Sequence, residues 1–125
     1  MWNVECGMKN EKKGNIILNK TFQFAMDIID LYSGLKKKNH YELAKQVMRS
    51  GTSIGANVRE AQRAVSKADF INKLGIALKE ADETKYWFEL IDAKVLASEE
   101  KLKNEIEEII KLLVTIIKKT KQNNS

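Results

Sequence analysis

An all-α chain is what this sequence predicts, folded as an antiparallel up-down-up-down four-helix bundle. Three observations carry that expectation. Proline is absent from the 125 residues and only six are glycine, so little interrupts long helices. Four segments repeat apolar residues at three- and four-residue spacing, which keeps them on one helical face. The connections between those segments are very short, and short connections favour antiparallel neighbours.

Residues 1–15 are polar and aperiodic and read as a flexible N-terminal arm. The first helical segment, about Ile16–Leu35, places Ile17, Phe24, Ile28, Leu31 and Leu35 on one stripe. Leu18, Phe22, Ala25, Ile29 and Tyr32 form a second stripe beside it. Gly34 and the run Lys36-Lys37-Lys38 suit a helix C-terminus, where cations oppose the dipole.

Asn39-His-Tyr-Glu42 has the side chains of a capping box and opens a second segment that runs to about Ala64. Within it Val47, Gly51, Ile54, Val58, Ala61 and Val65 share a face, beside a small and polar stripe of Ser50, Ser53, Asn57 and Glu60. Gly51 and Gly55 each cost a helix about 1 kcal/mol relative to alanine, which points to another backbone packed closely there.

Ser66-Lys-Ala-Asp69 starts a third segment, about Lys67–Leu96, with Phe70, Leu74, Ala77, Ala81, Thr84, Phe88, Ile91 and Val95 in register. Ser98 followed by Glu99-Glu100 caps the fourth. Its Leu102, Ile106, Ile109, Ile110, Leu113, Ile116 and Ile117 make the cleanest stripe in the chain. One domain therefore spans residues 16–121, with 122–125 as a C-terminal tail. Met26, Leu112 and Val114 are surplus to a lone core, and such surplus marks a subunit interface in a homo-oligomer.

Composition excludes several function classes. The one cysteine, Cys6, supports neither an internal disulfide nor a thiolate metal site, and suits a reducing cytoplasm. The N-terminal residues lack the apolar core of a signal peptide, and no window approaches the ~18 apolar residues of a membrane span. No membrane partner is expected. With His40 alone, Ser50 and Ser53 have no histidine base within helical reach, so no catalytic triad and no enzyme activity is predicted. Gly51-x-x-x-Gly55 lacks the following lysine of a phosphate loop.

Ser53-Ile54-x-x-Asn57-Val58-x-Glu60, then Asp69-Phe70-Ile71-x-x-Leu74-x-Ile76-Ala77, then Glu83 and the apolar tail resemble the family of four-helix-bundle proteins encoded inside intervening sequences of bacterial large-subunit ribosomal RNA genes. The resemblance covers about residues 16–120. It implies a cyclic homo-oligomer, commonly a pentamer, without established enzymatic activity. It also implies a possible partner class, since similar proteins are accessory factors of diversity-generating retroelements and bind nucleic acid and a reverse transcriptase. Two positions depart from the pattern: Ala61 stands where many relatives have glycine, and Leu78-Lys79-Glu80 where many have a small pair.

Glu80-x-x-Glu83 puts two carboxylates one turn apart, and Glu60 could join them from the second segment to hold a metal. The histidines that complete such sites are missing, so no metal and no cofactor is expected. Glu60 and Glu83 instead read as partners of Arg, Lys or Asn57 in a structural network with Ser53. Trp87, flanked by Tyr86 and Phe88, reads as interface packing in preference to a base-stacking platform.

The bundle topology gathers residues 1–20, 59–75 and 109–125 at one end, with twelve basic against four acidic side chains, a net +8 that leaves −3 for the rest of the +5 total. Arg59, Arg63, Lys67, Lys118, Lys119 and Lys121 are the candidate nucleic-acid contacts at that end. The predicted function is a non-enzymatic, oligomeric accessory protein that binds RNA or DNA without sequence specificity. A pure protein-interaction scaffold and a carboxylate-based metal- or ligand-binding bundle are the alternatives.

Overall fold

The computed structural model describes residues 11–95 and 100–123. Among these residues the chain is all-α, with four helices and no strand: α1 (Glu11–Lys37), α2 (Tyr41–Ala61), α3 (Lys67–Lys94) and α4 (Glu100–Gln122). They form a four-helix bundle around one core. Ser98 and Cys6 lie outside the described residues, as do residues 1–10 of the expected arm.

Helix α1 begins at Glu11, so residues 11–15, assigned from the sequence to the arm, are helical. A short polar stretch extends a helix at little cost once the following turns are fixed, because each added residue gains a backbone hydrogen bond. Gly34 does not stop α1 either. The helix runs to Lys37, and a side chain at Gly34 would meet nothing within 4 Å.

The expected capping box at Asn39 is not formed. Asn39 adopts a left-handed backbone, φ 66°, and closes α1: the His40 amide donates to the Leu35 carbonyl and the Asn39 amide to the Lys36 carbonyl, both at 2.9 Å. This is the Schellman pattern, in which asparagine substitutes for glycine. His40 is left as the residue preceding α2, without a side-chain cap. At α3 the expectation holds: Ser66 is extended and its hydroxyl accepts from the Asp69 amide at 3.0 Å, while Asp69 Oδ2 accepts from the Val65 amide at 3.2 Å.

The core is assembled from the expected stripes except at Val65, which lies beyond the end of α2 and is 69% exposed. Phe24 of α1 and Phe88 of α3 meet across it with ring centroids 6.2 Å apart and planes tilted by 59°, a separation at which aromatic rings attract one another. Ile17, Ile28, Val47, Ile54, Leu74, Ile91, Ile106, Ile109 and Leu113 fill the space around them, all buried. Each such side chain contributes about 1.5–3 kcal/mol on leaving water. Four polar residues join the core: the hydroxyls of Thr21, Thr84 and Thr120 donate to carbonyls one turn back, and that of Ser50 is hydrogen-bonded to Thr84.

Pairs along each seam run in opposite senses of sequence. Thr21 lies by Gly55 and Ile28 by Gly51 between α1 and α2. Glu60 meets Lys73 and Ser50 meets Thr84 between α2 and α3. Lys85 meets Glu107 and Asp92 meets Lys103 between α3 and α4. Lys20 meets Glu108 and Asp27 meets Lys101 between α1 and α4. The expected close approach at the glycines is present in two forms. A Cβ at Gly55 would lie 3.3 Å from the Thr21 carbonyl oxygen, which is backbone, whereas one at Gly51 would lie 2.8 Å from Ile28 Cγ1, which is side chain.

Candidate nucleic-acid interface

The last turn of α2, the turn that follows it and the first turn of α3 carry Arg59, Arg63 and Lys67. Backbone amides of Gln62, Arg63 and Ala64 donate to the carbonyls of Arg59, Glu60 and Ala61, which tightens the end of α2 and leaves Arg59 and Arg63 exposed. Lys67 is tied to the C-terminus of α4, its Nζ donating to the Asn123 carbonyl. Lys118, Lys119 and Lys121 are exposed on the last turns of that helix. The chain thus brings the ends of α2 and α4 beside the start of α3, and the basic residues read from the sequence share one end of the molecule.

Among the described residues, none of the ion pairs involves Arg59, Arg63, Lys118, Lys119 or Lys121. Arg59 instead lies over the ring of Phe22 on α1, its guanidinium carbon 5.9 Å from the centroid, a distance at which the cation is attracted to the ring face. Phe22 is 55 % exposed. Between α1 and α2 at this end lies a groove of about 450 Å³ lined by Leu18, Phe22, Ala25, Gly55, Arg59 and Arg63, among others.

The Ser53, Asn57, Glu60 and Glu83 set separates into two places. Ser53 Oγ donates to the Ser50 carbonyl at 3.0 Å and Asn57 Nδ2 to the Ser53 carbonyl at 2.8 Å, so both are spent on their own helix. Glu60 pairs with Lys73 at 3.3 Å. Glu83 pairs with Arg49 and also accepts from Trp87 Nε1 at 3.1 Å, while Glu80 lies 3.1 Å from Arg49.

Glu60 therefore does not join Glu80 and Glu83. Its partner on α3 is Lys73, ten residues from Glu83 and so about 15 Å along the helix. The carboxylates that are neighbours already share a guanidinium, which they hold more firmly protonated, Glu83 most strongly by its hydrogen bond. Among the described residues no three His, Cys, Asp or Glu side chains come together as a metal site.

Sequence reasoning missed Arg49, Lys73 and Phe22 as partners. Each pairs across two helices, and only the register of one helix against the next brings them together. Phe22 had a signal in its stripe, an apolar residue on the flank facing away from Ile17 and Phe24.

A family model described as 23S rRNA-intervening sequence protein matches residues 13–115. The chain belongs to this family. The chain is also similar to a protein of known crystal structure, a protein of unknown function from the S23 ribosomal protein family of Bacteroides thetaiotaomicron, at 49% identity and a TM-score of 0.80. The similarity covers 85% of this chain and 98% of that one. No curated protein matches significantly. No helix among the described residues is long and apolar enough to cross a membrane.

Proposed function

We propose that the chain is a non-enzymatic accessory protein of the cytoplasm, an antiparallel up-down-up-down bundle that assembles into a cyclic homo-oligomer and binds RNA or DNA through its basic end without reading sequence. The observation that carries this reading is the collection of Arg59, Arg63, Lys118, Lys119 and Lys121 at one end, exposed and outside the ion pairs. Phosphates are the ligands such a surface suits, and an oligomer with aligned subunits multiplies the field.

The opposite sense of the residue pairs along all four seams supports the antiparallel topology. Assembly is supported by Met26 and Ile29 on α1 and Val114 on α4, apolar residues left 41%, 45% and 46% exposed. The same residues favour the second reading, a protein-interaction scaffold whose partner is another protein such as a reverse transcriptase.

Electrophoretic mobility shift with arbitrary RNA and DNA separates the two. Under the first reading, affinity falls steeply with salt, with a log–log slope of about −0.9 per duplex phosphate neutralised. Replacing Arg59, Lys118 and Lys119 by Glu abolishes the shift, and replacing Lys36, Lys37 and Lys38 by Glu does not. Equal losses from both variants reduce the effect to diffuse charge, and absence of binding by the parent leaves the scaffold. Light scattering tests assembly: the 14.3 kDa chain should run as several subunits, five in the form the resemblance implies.

A further inference from the structure

We propose that the α1/α2 groove at the basic end is a nucleotide site of a single-stranded nucleic acid, with the base stacked at Phe22 and the adjoining phosphate held by Arg59 and Arg63. The inference rests on the nucleic-acid reading above and specifies which form of nucleic acid is bound and by what.

The groove has two unlike parts. Much of its lining is small or apolar, with Leu18 and Ala25 from α1 and Gly55 from α2, where even a methyl would come 3.3 Å from the Thr21 carbonyl oxygen. Its volume, about 450 Å³, is within the range of small-ligand clefts. One wall is the Phe22 ring, more than half exposed. At the rim, Arg59 lies over that ring and Arg63 lines the same opening one turn further on.

An occupant that is flat and apolar at one side and anionic at the other matches both parts. A base with its phosphate is such a ligand, since every base has a face that stacks on an aromatic ring or a guanidinium plane. An apolar helix, whether from a second copy of the chain or from another protein, matches only the apolar part. It would draw Arg59 and Arg63 out of water with only Glu60, the one carboxylate lining the groove and already paired with Lys73, near them, and burying an under-compensated cation is costly. A duplex would engage the arginines alone, because its bases are stacked on one another.

Fluorescence anisotropy with three labelled probes of equal length tests the assignment: a single-stranded RNA, the same strand with abasic positions, and a duplex. The parent should bind the base-bearing single strand about ten-fold more tightly than the abasic one. Phe22→Ala should lose that difference while keeping its affinity for the duplex, and Phe22→Tyr, which keeps a stacking face, should retain it. Phe22 is exposed, so both variants should fold, with circular dichroism as the check.

Equal binding of base-bearing and abasic strands by the parent overturns the nucleotide site while leaving charge-driven nucleic-acid binding in place. Binding of none of the probes overturns both. A fall in oligomer mass for Phe22→Ala, with nucleic-acid affinity unchanged, assigns the groove to a second copy of the chain and also overturns the proposal.

Discussion

Ser50 of α2 and Thr84 of α3 are hydrogen-bonded through their hydroxyls, 2.9 Å apart, at positions where neither side chain touches solvent. They are a buried polar pair in a seam that also carries the Glu60–Lys73 and Arg49–Glu83 ion pairs nearer its surface. A one-residue slip would separate them and leave a buried hydroxyl unsatisfied, so the pair specifies register as well as adding stability.

That coupling is measurable by a double-mutant cycle. Thr84→Val should destabilise by about 1–3 kcal/mol, since it leaves the buried Ser50 hydroxyl behind, whereas Ser50→Ala should cost less, about 0.5–1.5 kcal/mol, because Thr84 keeps its bond to the Glu80 carbonyl. The double variant should lose less than the sum in urea denaturation. Strict additivity would show that the two hydroxyls do not interact.

Gly34, Gly51, Gly55 and Gly75 should divide by what surrounds them. Gly51→Ala puts a methyl against buried Ile28, and Gly55→Leu drives a side chain into the Thr21 backbone; both should lower the melting temperature, the second by more than the usual 1–3 kcal/mol of overpacking. Gly34→Ala and Gly75→Ala meet open space and should stabilise by roughly 0.5–1 kcal/mol. Calorimetry showing a stabilised Gly55→Leu variant would mean that α1 and α2 are not in close contact there.

Stability should carry a pH signature at the α1/α4 seam. Lys101 Nζ lies 3.6 Å from Asp27 Oδ2 and 3.9 Å from Glu105 Oε1, and Asp27 Oδ2 is shielded without a hydrogen-bond partner. Burial, then the neighbouring Asp27 carboxylate, pushes the Glu105 carboxyl above its ordinary range. A carboxyl raised on folding stabilises below its unfolded value of about 4.3, and that contribution is lost as pH rises through the folded value. Glu105→Gln should therefore melt higher than the parent at pH 7, with the advantage shrinking toward pH 4. A variant less stable than the parent at pH 7 would refute the sign.

Two helix ends make opposite demands on their residues. Asn39→Val forces a β-branched side chain into a left-handed backbone and should cost about 1–2 kcal/mol, whereas Asn39→Gly should be close to neutral. Ser66→Ala removes the cap of α3 and should cost about 1 kcal/mol. Thermal melts that rank Asn39→Gly below Asn39→Val would contradict the Schellman closure of α1.

The helices and their inward faces were legible in the sequence because they depend on spacing within one segment. Phe70, Leu74, Ala77, Ala81, Thr84, Phe88 and Ile91 are all buried as their register requires, and Ser66 caps as its chemistry suggests. Asn39 shows where local pattern misleads. Its side chain suits the start of α2, but asparagine's tolerance of a left-handed backbone decided its use at the end of α1.

Pairing across seams belongs to the tertiary structure alone. Helical periodicity says which residues share a face but not how far one helix slides along the next. The register of α2 against α3, marked by the buried Ser50–Thr84 pair, gives Glu60 to Lys73 and Glu83 to Arg49, and that of α1 against α2 packs Ile28 on Gly51 and Thr21 on Gly55. It also brings Arg59 over Phe22, forming one wall of the groove at the basic end.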